Sequence, residues 1–332
     1  MMRRAPRALV LVAAGMVALT ACTPELPTVQ TDPAPSVAPP VLSSVQDAAV
    51  YEAVGVALGD ASTTLDPAEL EPRLTGPALA LRTVELQVAA AVGSTDGLTE
   101  LPTTVQSEIL PTTQTWPRTA LSVSVRPEDL GTERMYVLDQ ATARDQYKLW
   151  AWIRLFPSIT LPTFAAPNVG TESVAPDDAS LLMTPADAVA RYADVLTSRE
   201  ESAFAADFPD DPLRAAMADA FTKQSTIAEE LSGTFTETYA APEGALRAVR
   251  TDDGGALVVA QIDSTSTLTG EEGAVVSPNA AQRALIGDVP DSNSVSYGRT
   301  ILVGIYVPPA EGGEIGTTVV GSEFLTTSAS IP

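Results

Sequence analysis

The sequence predicts an α+β protein in which helices pack on one face of a curved antiparallel sheet. Two observations predict this class. Signals for capped, amphipathic helices precede signals for strands, and the same order occurs a second time farther along the chain. Each of the two blocks has the length of an ordinary domain. We therefore expect two tandem α+β domains, over residues 42–157 and 184–332.

The first domain opens with helical signals. Ser44 is placed to cap a helix with Asp47 at its N3 position, and apolar residues recur with helical spacing from Val50 to Leu58. Asp66-Pro67 predicts a second helix start, and Gly76-Pro77 is expected to interrupt that helix. Gly93 is placed to end the last helix of this block.

Strand signals follow in the first domain. Residues 121–125 alternate apolar with small polar residues, which is the period of a strand with one buried face. Residues 134–139 predict a second strand, and residues 147–156 predict a third and longer one.

The second domain repeats the order. Thr184-Pro185 and Asp211-Pro212 predict capped helix starts with proline in the first turn. Residues 246–250 and 256–262 flank the sequence Asp252-Asp253-Gly254-Gly255, which predicts a hairpin because these turn residues tolerate positive φ. Two further strands are predicted, over residues 299–307 and 322–330.

The amino terminus has the pattern of an export signal. Three arginines, the last at position 7, precede the apolar run 8–21. At about 1.5 Å per residue this run spans about 21 Å, less than the roughly 30 Å of a bilayer core. The run ends in Leu19-Thr20-Ala21-Cys22, which resembles the lipobox of bacterial lipoproteins. That resemblance implies cleavage of a signal peptide over residues 1–21 and a lipid, with acyl chains such as palmitate, on Cys22.

Two alternatives to this interpretation stay open. An ordinary signal peptide would make the cysteine incidental, although it is the only cysteine in the chain. Arg3-Arg4 is compatible with a twin-arginine signal, but Ala5 and Pro6 favour general secretion.

Residues 22–41 are rich in proline and threonine and predict an extended tether. Residues 158–183 lack a clear period and predict an interdomain linker.

Further resemblances concern the folded part. The sequences Leu74-Thr75-Gly76-Pro77-Ala78-Leu79, Trp116-Pro117-Arg118 and the helix start at 184–196 resemble a family of two-domain actinobacterial lipoproteins of unknown function. The order of elements is similar to that of NTF2-like or cystatin-like domains, whose curved sheet wraps an amino-terminal helix. Neither resemblance implies a catalytic motif.

Charge and composition exclude several functions. The net charge is −23, and removal of residues 1–21, which contain three arginines and no acid, makes it −26. Such a charge argues against nucleic acid as a partner and against a body lying flat on anionic lipid. Because the chain has no histidine and a single cysteine, it lacks the residues for Ser-His-Asp and Cys-His sites and for the usual zinc sites. We expect neither a metal nor another cofactor.

Carboxylates are the remaining candidates for acid–base chemistry. Asp207, Asp210 and Asp211 are the densest group before a helix, but a helix cap at Asp211 and a solvated loop for the other two account for them better. Asp252-Asp253-Gly254 lacks the spaced acids and the distal glutamate of a calcium loop.

One strand carries a candidate ligand pocket. Alternation over residues 147–156 predicts that five large side chains share a face. Besides Phe156, they are the four candidate pocket residues Lys148, Trp150, Trp152 and Arg154. Two indoles between two cations suit an anionic or ring-bearing ligand. The alternative is that the indoles pack under a helix while the cations reach solvent.

These observations predict a non-catalytic lipoprotein of the cell envelope. It would be a binding or scaffolding module, lipid-anchored on the outer face of the cytoplasmic membrane, with an envelope protein, glycan or lipid as partner. One alternative is a carboxylate-dependent hydrolase of cell-wall glycans. Another is the solute-binding receptor of a transporter, although such receptors alternate strands and helices within each lobe.

Overall fold

The computed structural model describes residues 38–128, 131–312 and 316–331. The predicted signal peptide, the lipid-anchor Cys22 and most of the predicted tether lie outside these residues. Within them, no helix is both long and apolar enough to cross a membrane.

The fold is α+β, which confirms the predicted class. The described residues form five α-helices: α1 (Ser44–Thr64), α2 (Gly76–Val92), α3 (Pro185–Ser198), α4 (Pro212–Glu230) and α5 (Ala280–Ile286). They form nine strands: β1 (Val105–Ile109), β2 (Arg118–Ser124), β3 (Arg134–Gln140), β4 (Lys148–Leu155), β5 (Thr234–Ala240), β6 (Leu246–Arg250), β7 (Ala256–Thr269), β8 (Ser294–Val307) and β9 (Thr318–Ser330).

The nine strands belong to one sheet. Its order is β1-β2-β3-β4-β9-β8-β7-β5, with β6 also paired to β7, and neighbouring strands are antiparallel. The first four strands therefore follow chain order, whereas β9 is inserted between β4 and β8.

Helix α1 begins with a cap one residue earlier than predicted. The Ser43 side chain accepts a hydrogen bond from the backbone N–H of Gln46, and the Gln46 side chain accepts one from the backbone N–H of Ser43. This capping box moves Asp47 out of the N3 position. Asp47 is instead completely buried, with the Ser122 hydroxyl of β2 at 3.4 Å from its carboxylate.

Helix α2 begins where the sequence predicts an interruption. Asp66 caps only a short 3₁₀ turn over Pro67–Leu70, and the α-helix itself starts at Gly76. Gly76 has a φ of +55°, and a Cβ there would lie 2.7 Å from the ring of Trp150. Glycine thus serves both the backbone conformation and the packing at this position. Gly93 ends the helix as predicted, with left-handed geometry.

The second half follows its capping signals closely. The Thr184 side chain accepts from the backbone N–H of Asp187 at 3.0 Å, and Asp211 caps α4 by accepting from that of Arg214 at 2.9 Å. Strands β6 and β7 form the predicted hairpin, with Gly254 at a φ of +84° in its turn.

Three elements lie outside the predicted set, namely β1, β5 and α5. Strand β2 also differs from prediction, because residues 119–124 are buried on both faces rather than on one. Contact with α1 explains one covered face, since Ser122 there meets Asp47.

The two predicted domains share the sheet. Strands β4 and β9 pair through Arg154↔Ser322 and Leu155↔Gly321, where any side chain on Gly321 would collide with the backbone oxygen of Arg154. One hydrophobic cluster underlies the first half, and it also includes residues of β7, β8 and β9. A second cluster lies under α3 and α4.

The predicted linker is hydrogen-bonded to both halves. The backbone N–H of Thr171 donates to Leu110 at 2.7 Å, and that of Val174 donates to Ala248 at 2.9 Å. The division at residues 158–183 into two tandem domains stays a prediction, as does the likeness to NTF2-like or cystatin-like domains.

Candidate functional site

The structure separates the four predicted pocket residues. Trp152 has no exposed surface and lies in the hydrophobic core, so it cannot line an open pocket. The register of β3 and β4 shifts at Trp150, since Leu149 pairs with Leu138 but Ala151 pairs with Val137. This β-bulge interrupts the strict alternation on which the predicted face depends.

The other members of that set bind elsewhere. Lys148 donates to the backbone oxygen of Glu71 at 2.6 Å, and half-exposed Arg154 lies 3.8 Å from Glu323. Trp150 is 5% exposed, lines a small surface cavity of about 280 Å³ beside Pro77, and lies under the guanidinium of Arg247. Trp150 is thus the member of the predicted face that borders a surface cavity.

The three acids before α4 make hydrogen bonds and ion pairs with neighbouring side chains. Asp211 accepts from the hydroxyl of Tyr192 at 2.8 Å besides capping the helix. Asp207 pairs with Arg191 at 3.0 Å, and Asp210 pairs with Arg214 at 3.4 Å. Burial raises the pKa of the Asp211 carboxyl, against the lowering effect of its hydrogen bonds. Capping and ion pairing therefore account for all three acids.

A larger groove lies where three chain segments meet. Its volume is about 670 Å³, within the range of roughly 300–1,000 Å³ typical of ligand sites. Residues 112–119 form one wall, and residues 172–176 and 244–248 form the rest, with Ala38 at the border. We call this the Trp116 groove.

Trp116 gives the groove its aromatic surface. Its side chain is 40% exposed, although an indole of this size is usually mostly covered. Its Nε1 donates to the side-chain oxygen of Gln140 at 3.1 Å, and the guanidinium of Arg118 lies 4.1 Å from the ring centroid. The peptide bond between Trp116 and Pro117 is cis. The hydrogen bond to Gln140 and the contact with Arg118 hold the indole in place while part of it stays open to solvent.

Hydroxyl side chains line the groove on both sides of this indole. Thr113 and Ser173 are hydrogen-bonded at 2.9 Å across the groove, and the hydroxyl of Thr112 donates to the backbone oxygen of Thr171 at 3.3 Å. Thr115 is exposed beside them. A hydroxyl both donates and accepts hydrogen bonds, so these side chains suit a polar ligand.

Arg247 borders the groove with its charge neutralised. Its guanidinium donates to Asp139 at 2.8 Å and to the backbone oxygen of Leu246 at 2.8 Å, and it lies 4.5 Å from the ring centroid of Trp150. The hydroxyl of Thr119 also donates to Asp139, at 3.3 Å. These contacts hold β6 against β3 and leave the guanidinium little capacity for an anionic ligand.

Glu172 supplies the groove's exposed carboxylate. Its backbone oxygen accepts from Arg250, whereas its carboxylate makes no hydrogen bond or ion pair within the described part of the chain. Hydrolysis by paired carboxylates needs a second acid free to exchange a proton. Asp139 is instead held in the ion pair with Arg247. Glu172 is thus an exposed hydrogen-bond acceptor of the groove.

A second titratable centre lies in the core under α1. Burial and the charge of Glu108 raise the pKa of Asp47 from 3.8 to about 7, against a lowering hydrogen bond from Ser122. The hydroxyl of Tyr51 is buried near by and meets the geometric criteria for no hydrogen bond within the described residues. Because Asp47 has no exposed surface, this centre is closed to a ligand. Among the described residues, no group of three or more acids, cysteines or histidines is arranged to hold a metal ion.

Sequence reasoning missed the groove because its walls are distant in the chain. Two sequence features mark it: a tryptophan followed by proline at Trp116-Pro117, in a chain with three tryptophans, and a run of threonines around position 113. Residues 172–176, which complete it, lay within the predicted linker.

The chain matches the model of a protein family. The model of a family described as Domain of unknown function (DUF8094) matches residues 40–330. No curated protein and no solved structure matches the chain. Since the match covers most of the sequence, the chain belongs to the DUF8094 family.

Proposed function

We propose that this protein is a non-catalytic binding module of the cell envelope, held by lipid on Cys22 at the outer face of the cytoplasmic membrane. The observation that carries the binding role is the Trp116 groove. It combines an exposed, fixed indole with hydroxyl groups and a carboxylate that has no partner within the described residues.

The amino-terminal sequence supports the location. A basic start, a short apolar run and the sequence Leu19-Thr20-Ala21-Cys22 resemble a lipoprotein signal. Two acyl chains on one cysteine give stable anchoring, since each buried CH₂ contributes about 0.8 kcal/mol. The strongly acidic body would be repelled by anionic headgroups, so a tether over residues 22–41 would keep it in the space above the membrane.

We also propose that the two halves derive from one type of α+β unit, NTF2-like or cystatin-like, as in the actinobacterial lipoproteins that the sequence resembles. The repeated order of helices before strands and the two hydrophobic clusters support this. The sheet that runs through β4 and β9 would then be a later union of two units.

Lipid attachment is tested in living cells. Cells are fed an alkyne fatty acid, and wild-type protein is compared with Cys22→Ala. We expect label and membrane association for wild-type protein and their loss in the variant. An unlabelled, soluble wild-type chain would contradict the anchor.

The binding role is tested by crosslinking in intact cells and purification of the full chain. We expect specific enrichment of an envelope component that Trp116→Ala loses. Phe324→Ala is the matched control, because Phe324 is also about 40% exposed and lies near an arginine but is outside the groove. Enrichment of nothing, or equal enrichment by both variants, would refute the role of the groove.

A further inference from the structure

The chemistry of the Trp116 groove is specific enough to indicate its ligand. The exposed part of the Trp116 indole offers apolar surface, hydroxyl groups offer both donors and acceptors, and a carboxylate offers two strong acceptors. The arginine at the border of the groove is paired internally. Each of these features restricts the class of molecule that the groove suits.

The indole favours a ligand with a flat apolar face. Because Nε1 of Trp116 is bonded to Gln140 and Arg118 lies at 4.1 Å from the ring, the indole is held in one orientation. Burial of its exposed part by a ligand is favourable, and little conformational freedom is lost on binding. A pyranose or furanose ring presents such a face through its C–H groups.

The remaining polar groups favour many hydroxyls on the same ligand. Thr113 and Ser173 bond each other across the groove at 2.9 Å, and each hydroxyl keeps further donor or acceptor capacity. The carboxylate of Glu172 has two oxygens, which match two adjacent hydroxyl groups of a sugar ring.

Charge argues against an acidic ligand. Arg247 is neutralised by Asp139, while Glu172 adds an exposed negative charge to a chain of net charge −23. An anionic group bound beside Glu172 would meet its negative charge, and the cation nearest to the indole, Arg118, is already engaged with the Trp116 ring at 4.1 Å, so phosphorylated and uronic polymers are disfavoured.

We propose that the Trp116 groove binds a short stretch of a neutral glycan, with one sugar ring stacked on Trp116 and adjacent hydroxyls bonded to Glu172. This deepens the proposed function, on which it rests for the presence of glycan around the protein. Its test uses purified protein in solution, so it succeeds or fails independently of lipid attachment.

The test uses the exposure difference among the three tryptophans. Trp150 and Trp152 are buried, so quenching of fluorescence by acrylamide reports mainly on Trp116. The full chain in detergent is titrated with neutral tetrasaccharides built from glucose, mannose, galactose, arabinose or N-acetylglucosamine. An oligogalacturonate of equal length serves as the charged comparison.

We expect at least one neutral tetrasaccharide to bind with saturation and to protect Trp116 from quenching. Calorimetry should show a loss of about tenfold in affinity for Trp116→Ala, with part of the affinity kept by Trp116→Phe. Glu172→Gln should lower affinity by a similar factor, because a charge-assisted hydrogen bond is lost. The controls Phe324→Ala and Glu230→Gln, on the exposed surface outside the groove, should bind as wild type.

Three results would overturn this inference. They are no binding of any neutral tetrasaccharide up to about 1 mM, equal affinity of Trp116→Ala and wild type, or tighter binding of the acidic oligosaccharide. If crosslinking still enriches an envelope protein through the groove, the proposed function stands and the glycan assignment fails.

Discussion

Arg247 of β6 and Asp139 of β3 form an ion pair at 2.8 Å although they are 108 residues apart in the sequence. Both side chains are mostly buried, with 19% and 8% of their surface exposed. The pair joins the two halves of the chain beside the Trp116 groove. Removal of either side chain would leave the charge of the other one unpaired in a mostly buried position.

Asp139→Asn is therefore expected to destabilise the protein by about 3–5 kcal/mol, because the Arg247 guanidinium loses its counter-charge. Urea unfolding at pH 7 measures the change. The exposed pair of Lys223 and Asp219 on α4 is the matched control, because its atoms lie 2.6 Å apart but more than 60% of each side chain is exposed. Asp219→Asn should cost under about 1 kcal/mol. Equal effects of the two variants would show that the buried pair has no special role.

The buried carboxyl of Asp47 predicts a dependence of stability on pH. Its pKa is raised from 3.8 to about 7 in the folded protein, so the folded state binds its proton more tightly than the unfolded state. The stabilisation is complete below pH 3.8 and is lost as pH rises to about 7. Asp47→Asn should remove a slope of up to about 1.4 kcal/mol per pH unit in this window.

Unfolding free energies of wild type and Asp47→Asn at several pH values measure this difference. Asp60→Asn changes an exposed acid of the same helix and should leave the slope intact. A wild-type slope that survives in Asp47→Asn would assign the titration to another group.

Two glycines allow a direct test of packing. At Gly76, alanine meets both a positive φ and the ring of Trp150 at 2.7 Å, so Gly76→Ala should destabilise by about 1–3 kcal/mol. At Gly59, on the exposed side of α1, a Cβ meets nothing within 4 Å. Gly59→Ala should stabilise by up to about 1 kcal/mol through helix propensity. Thermal unfolding distinguishes the two signs, and destabilisation by both would be inconsistent with this packing.

The hydroxyl of Tyr192 is expected to stabilise the folded protein. It donates to both oxygens of the buried Asp211 carboxylate, at 3.0 and 2.8 Å, and so links α3 to the start of α4. Tyr192→Phe should cost about 1.5–3 kcal/mol, as for a hydrogen bond to a charged group. Tyr297→Phe removes a hydroxyl that makes no hydrogen bond within the described residues and should be near neutral. A neutral Tyr192→Phe in chemical denaturation would mean that water replaces the lost donor.

Local chemistry made much of the fold predictable from sequence. Thr184 and Asp211 begin helices because their side chains accept from backbone N–H groups a few residues on, and the turn at Gly254 fixes its hairpin in the same way. These interactions act within four residues, so their signal survives in a single sequence. The exact cap of α1 was missed because Ser43 and Ser44 are adjacent and equally suitable.

Elements that depend on distant partners were harder to predict. In β5 the inward position of Glu237 is charged, which hides the alternation expected of a strand. The structure explains this charge, since Glu237 lies within 3.4 Å of Arg299 on β8 and 3.8 Å of Arg199. Neither arginine is near Glu237 in the sequence.

The candidate site illustrates the same limit. Alternation placed Trp150 and Trp152 on a common face, but a bulge is set by the pairing of two strands and leaves no mark in one of them. The Trp116 groove needs three segments that only the folded sheet brings together.

The position of β9 in the sheet has a consequence for how the protein is made. A ribosome produces β9 after the other eight described strands, yet β9 lies between β4 and β8. Until β9 has emerged, the edge of β4 that pairs with it therefore has no partner, and the sheet is not continuous between the two halves. Nascent chains stopped before residue 318 should accordingly display an unpaired strand edge, which is a surface open to self-association.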